Sequence, residues 1–157
     1  MNSYELAFRM NGESQMNSFN HFALGAVGSW IYEYHLGITT ESGHGYKDFI
    51  LQPLPGGTYT QASGCYESNY GTIESSWTAD KGKLTGYSFT VPANTTATVY
   101  LPVDKSVLDN FVNIEGLNYI GMEERNGVQV AKFKAVSGHF TIKLNNGRLI
   151  ATAQNLL

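Results

Sequence analysis

Hydrolysis of a sugar linkage needs two carboxyl groups, one to protonate the leaving oxygen and one to act as base or nucleophile. Glu5, Glu13, Glu33, Glu41, Asp48, Glu67 and Glu74 are the candidates in the first half of the chain. Most stand in polar turns or on strand faces open to water, where solubility explains them. Glu67, between Tyr66 and Tyr70, is placed either as an ordinary edge-strand charge or as the border of a sugar site. Tyr59, Tyr66, Tyr70 and Trp77 could stack on pyranose rings, or pair across strands and fill a core. His21 follows Asn20 in the first turn of an otherwise apolar helical stretch, "SFNHFALG". By residue type alone it reads as a satisfied interior histidine.

Other chemistries find no pattern. His21, His35, His44 and His139 include no helical ligand pair and no Cys/His cluster, so no metal is expected. "LPGGTYT" and "ASGCYESNYG" hold glycines in neither dinucleotide nor P-loop spacing, and no nucleotide cofactor is implied. A Ser-His-Asp triad has no G-x-S-x-G elbow to sit on. Cys65, the single cysteine, has no base near it in sequence and reads as a small buried hydrophobe. The "NTT" at 94–96 matches a glycosylation sequon, but turn formation accounts for it.

The elements that would position these residues fall into two periods. From Ser18 to Leu36 the spacing predicts a helix. Ser18 or Asn17 can cap its start, and Gly37 supplies a left-handed end with Ile38 as the apolar contact beyond. Phe19, Phe22, Ala26, Trp30 and Tyr34 make one stripe, and Ala23, Leu24, Val27 and Ile31 cover much of the rest. Such a helix has almost no polar face. "TTESGHG" at 39–45 is a polar linker. Beyond it the period is two. Strands are expected at 46–52, 59–67, 72–79, 83–91, 96–101, 111–114, 119–125, 128–135 and 139–144, while the tail from Gly147 reads equally as strand or loose chain. Asn126-Gly127 is a type I′ hairpin signal. Short strands at this spacing, with no helices between, favour an antiparallel β-sandwich, jelly-roll-like, over βαβ units.

Composition narrows the partners. The chain has 157 residues, 42% hydrophobic and 15% charged, which suits one packed domain with an appendage. Its net charge of −3 and its ten scattered Lys and Arg offer no basic stripe, so nucleic acid is not expected. Ser29, Glu33 and His35 interrupt the apolar stretch, so no membrane span is expected. "MNSYELAFRM" lacks the basic start and apolar core of a signal peptide.

Taken in order, "MNSFNHFALGAVGSWIYEYHLGI", "GYKDFILQPLPGG", "ASGCYESNYGTIESSW" and "YSFTVPANTTATVYLPV" resemble the C-terminal end of bacterial α-L-rhamnosidases of glycoside hydrolase family 78, and "GVQVAKFKAVSGHFTIKL" resembles that region's closing strands. The likeness covers most of residues 16–144. It implies that residues 1–38 end with the last helix of an (α/α)6 catalytic barrel, that 39–45 link, and that 46–157 form the C-terminal β-sandwich, which supports the barrel and helps hold that final helix. It implies further that Asn20 and His21 line the rhamnose pocket, reversing the reading of His21 from residue type alone. The family inverts at the anomeric carbon with an acid from an upstream segment and a base set shortly before the Asn-His pair. Glu5 stands at the distance of that base, without the tryptophans that flank it in the family. The expected partners are the helical catalytic domain and a rhamnosylated glycoside, in a bacterial cytoplasm or periplasm. The chain taken alone is expected to be inactive. A free-standing carbohydrate-binding module and a dimer built on the apolar helix remain the alternative readings.

Overall fold

The computed structural model describes residue 28 and residues 31–40 and 45–154. Backbone packing separates Met1–Trp30 from a compact unit, Ile31–Leu157. The second unit is a β-sandwich. Ten strands are described in it: β1 (Ile38–Thr39), β2 (Asp48–Leu51), β3 (Gln61–Ser68), β4 (Gly71–Asp80), β5 (Lys83–Val91), β6 (Thr96–Leu101), β7 (Leu117–Arg125), β8 (Val128–Ala135), β9 (Gly138–Asn145) and β10 (Arg148–Gln154). The first sheet runs β1-β2-β6-β8-β7 and the second β10-β9-β5-β4-β3.

The period-two pattern places the core between the sheets. Phe49, Leu51, Val99, Leu101 and Phe133 point inward from the first sheet, and Ile73, Trp77, Tyr87, Phe89, Phe140 and Ile142 from the second; all are buried in one cluster. Phe89 stacks between Tyr87 and Phe140, with 5.1 Å between ring centroids on each side. Trp77 is 1% exposed, so it is a core residue and offers no sugar a platform.

Several expectations change. The sandwich is not antiparallel throughout, because β2 runs parallel to β6 with Phe49 opposite Ala97 and Leu51 opposite Val99. No strand forms at 111–114. There the Asn113 side chain accepts the Tyr119 N–H at 2.8 Å, and Ile114 bridges only to Leu117 around Gly116, which has a positive φ of 79°. A short polar side chain bonded to nearby backbone competes with a strand ladder. The tail is a strand: Asn146 and Gly147, at φ 50° and 71°, close a β9–β10 hairpin of the kind expected at Asn126-Gly127, where φ is 52° and 77°. The sequon is a turn, and the Thr95 hydroxyl is buried and donates to the Pro92 carbonyl at 2.8 Å. Tyr100 faces the outside of its sheet but is buried, with the Arg125 guanidinium 4.2 Å above its ring.

The boundary drawn at 38/39 falls inside β1, which pairs with β2 through Ile38–Leu51 and Thr39–Ile50. Of the helix expected over 18–36, Ile31–Leu36 are described as a single π-helical turn.

Candidate functional site

The described residues build two sites, one on each face of the second sheet. The inner one receives the chain as it leaves the helical turn. The last carbonyls of any helix lack partners within it. Here the sheet supplies them. The Trp77 indole N–H donates to the His35 carbonyl at 2.6 Å, and the Ser75 hydroxyl donates to the Leu36 carbonyl at 2.6 Å. Ser75 has one proton and gives it to Leu36, so at 3.1 Å the Tyr87 hydroxyl is the donor to Ser75. Ser75, Trp77 and Tyr87 are all buried, and among the described residues no buried side-chain polar atom lacks a partner. Burial pushes the Tyr87 phenol well above its ordinary pKa.

Sequence explains why the chain turns where it does. Gly37 has φ +68°, and a Cβ built there would lie 1.9 Å from the Gln52 carbonyl oxygen. Only glycine fits. The Gly37 carbonyl accepts the Gln52 N–H at 2.8 Å, which starts the β1–β2 pairing. Leu36 then enters the core against Gly64, whose added Cβ would come within 2.6 Å of a Leu36 methyl. Aromatic side chains frame the entrance. His35 meets Tyr59 edge-on at 5.2 Å, and Tyr46 lies 4.4 Å from Tyr66. Tyr46 holds a left-handed φ of 67°, and burial and the adjoining Tyr66 raise its pKa. Tyr66 is thereby half-buried in the entrance, while Tyr59 and Tyr70 remain exposed.

The outer site is a groove of about 370 Å³ lined by Ser63, Cys65, Glu74, Ser76, Ser88 and His139. Register assembles it. Cys65, Glu74, Thr90 and His139 stand opposite one another across β3, β4, β5 and β9, and Ser63, Ser76, Ser88 and Thr141 form the next row. The Thr90 hydroxyl donates to Glu74 Oε2 at 2.5 Å. Its proton being committed, the 2.8 Å contact between Thr90 and His139 Nδ1 is donated by the imidazole. His139 Nε2 lies 3.2 Å from the Ser88 hydroxyl, which donates to the Phe140 carbonyl at 3.3 Å. Thr90 and His139 thus hold the Glu74 carboxylate from β5 and β9.

Sequence reasoning treated Glu74 as a solvated charge and His139 as one of four scattered histidines. Their partnership spans 65 residues of chain, and no local spacing signals it. Cys65 corrects a second expectation. It is exposed, because its place in the alternation of β3 turns it away from the core. Glu67 is an edge-strand residue whose carboxylate accepts the Thr72 hydroxyl at 2.9 and 3.0 Å. Glu5, Asn20 and His21 lie outside the described residues.

Comparison with known proteins bears on the family and the fold. The profile of the bacterial alpha-L-rhamnosidase C-terminal domain matches residues 37–113, beginning at Gly37. An alpha-L-rhamnosidase of Formosa agariphila is 38% identical over 129 residues, 79% of this chain and 14% of that protein. One from Streptomyces avermitilis is 40% identical over 92 residues, 57% of this chain and 8% of that protein. The crystal structure of Streptomyces avermitilis alpha-L-rhamnosidase complexed with L-rhamnose superposes with a TM-score of 0.56 at 29% identity, over 87% of this chain and 13% of that one. The chain therefore spans a small part of the length of these relatives.

Proposed function

This chain carries the C-terminal domain of the bacterial α-L-rhamnosidases, and from that premise we propose that its sandwich anchors the last helix of a catalytic barrel that removes terminal α-L-rhamnose from glycosides. The observation that carries the reading is the capture of the His35 and Leu36 carbonyls by Trp77 and Ser75 from inside the core. A helix whose end is tied into a packed sandwich has a defined axial position. Side chains near its other end are then presented to a substrate with little freedom left to lose, which favours reaction. Asn20 and His21 are the residues proposed to reach the sugar, with the helical domain of the same enzyme as the sandwich's partner.

The chemistry belongs to a carboxylic acid and a carboxylate acting on opposite faces of the sugar. Glu5 is the only base proposed from this chain, and the acid is proposed to come from the helical domain. The chain alone should therefore not hydrolyse a rhamnoside. An aryl α-L-rhamnoside incubated with the 157-residue chain is expected to give no turnover above background. The longer enzyme containing the helical domain is expected to cleave it, and to lose activity on Ser75→Ala. Turnover by the chain alone would refute the proposal.

A further inference from the structure

The outer groove lies on the other face of the strands that hold the helix end, and shares Gly64 and Ser75 with that anchor. Glu74 uses Oε2 for Thr90, and among the described residues Oε1 makes no hydrogen bond. The hydroxyls of Ser63 and Ser76, cross-strand neighbours on the same floor, likewise make none. Each hydroxyl can donate once and accept twice. The side chain of Glu74 is 55% exposed and that of His139 35%, so a ligand can reach both.

The character of these groups selects the ligand class. An anion would meet the Glu74 carboxylate with no lysine or arginine in the lining to offset it. A hard dication would need several oxygen ligands, and one carboxylate with scattered hydroxyls falls short. An apolar ligand would strand the serine hydroxyls. A neutral ring carrying several hydroxyls satisfies all of them, donating to Glu74 and exchanging hydrogen bonds with Ser63 and Ser76. The Thr90 and His139 chain fixes the carboxylate beforehand, so little side-chain freedom is lost on binding. The groove volume lies in the lower part of the range for small-molecule sites, roughly 300–1,000 Å³.

We propose that the outer face of β3, β4, β5 and β9 is a binding site for a neutral sugar residue, with Glu74, Ser63 and Ser76 as the contacts and Thr90 and His139 as positioning residues. The choice of a rhamnoside as the sugar rests on the reading above; the chemistry of the groove does not.

The test is an NMR titration of the isotope-labelled chain with methyl α-L-rhamnopyranoside. Saturable amide shifts are expected, centred on residues 63–65, 74–76, 88 and 139, with a Kd on the order of 1–10 mM. Glu74→Gln should weaken binding about tenfold, a loss of about 1.4 kcal/mol. Ser76→Leu should abolish it by filling the floor. Thermal unfolding of both variants confirms that they fold. Should Glu74→Gln not fold, Ser76→Leu carries the test alone. No saturable shifts, shifts centred elsewhere, or undiminished binding by a folded variant would overturn the site. Turnover of an aryl rhamnoside by the chain alone would refute the anchoring function and leave the groove standing. Absent shifts would do the reverse.

Discussion

Gly37→Ala is the sharpest perturbation of the helix anchor, and Gly82→Ala is its control. Both glycines hold left-handed backbone, at φ 68° and 76°. Placing a Cβ on such backbone costs about 1–2 kcal/mol by itself. At Gly82, in the β4–β5 turn, an added Cβ meets nothing within 4 Å, so that cost is the whole effect. At Gly37 the same atom lies 1.9 Å from the Gln52 oxygen and 2.2 Å from its carbonyl carbon, where real contacts essentially never fall under 3.0 Å. Backbone has to move, and the Gln52–Gly37 hydrogen bond of 2.8 Å is the first to break, at about 1 kcal/mol. Leu36 and Ile38 flank the site, buried to 6% and 2% exposure, and complete exposure of either would forfeit about 1.5–3 kcal/mol. With partial loss of that burial, Gly37→Ala should cost about 4 kcal/mol in all, and Gly82→Ala about 1.5. Urea unfolding of the three proteins, compared at similar slope, measures both numbers. If the two variants fall within about 0.5 kcal/mol of each other, the close approach to Gln52 is not what holds the anchor together.

Three further outcomes follow from the same geometry. Ser75→Ala strands the Leu36 carbonyl and the Tyr87 hydroxyl, at about 1–3 kcal/mol each. The Ser75→Ala/Tyr87→Phe double variant should therefore be less destabilised than the sum of the singles, and strict additivity in a thermal cycle would contradict the Ser75–Tyr87 bond. The raised Tyr87 pKa means that the folded state keeps a proton that the unfolded chain loses near pH 10. This contribution is fully present below the unfolded pKa and fades as pH climbs toward the folded one. Stability should drop by up to about 1.4 kcal/mol per pH unit there, beyond what Tyr87→Phe shows. Equal alkaline slopes in the two proteins would rule this out. Cys65 should react with a thiol reagent in the native chain as fast as after unfolding, and labelling that waits for denaturant would put it inside after all.

The legible parts of this molecule were local. Alternation set Tyr87, Phe89 and Val91 against Ser88 and Thr90, and the structure buries the first three in the core. Asn126-Gly127 and Gly37 carry the positive φ their residue types invite. Where side-chain hydrogen bonds competed with the ladder, at Asn113, the period misled. Where a strand ends a chain segment without strong alternation, at Arg148–Gln154, pairing with β9 decides what the pattern leaves open.

The resemblance also reached further than any spacing, pointing to the domain family from the order of four segments. The resemblance implied a sandwich that helps hold the last helix, but neither it nor the pattern indicated which residues do so, or the groove. Trp77 could stack on a sugar or fill a core, and nothing in its neighbours says that its indole N–H meets a carbonyl 42 positions earlier. Glu74 and His139 each look solvated, and only β5, inserted between β4 and β9 with Glu74 opposite Thr90 and Thr90 opposite His139, makes them one network. Sequence by itself determined which residues turn inward, since side-chain alternation and backbone preference act over a few residues. Tertiary structure decided which strands become neighbours, because that choice depends on burying the whole core at once, and both proposed sites are products of that choice.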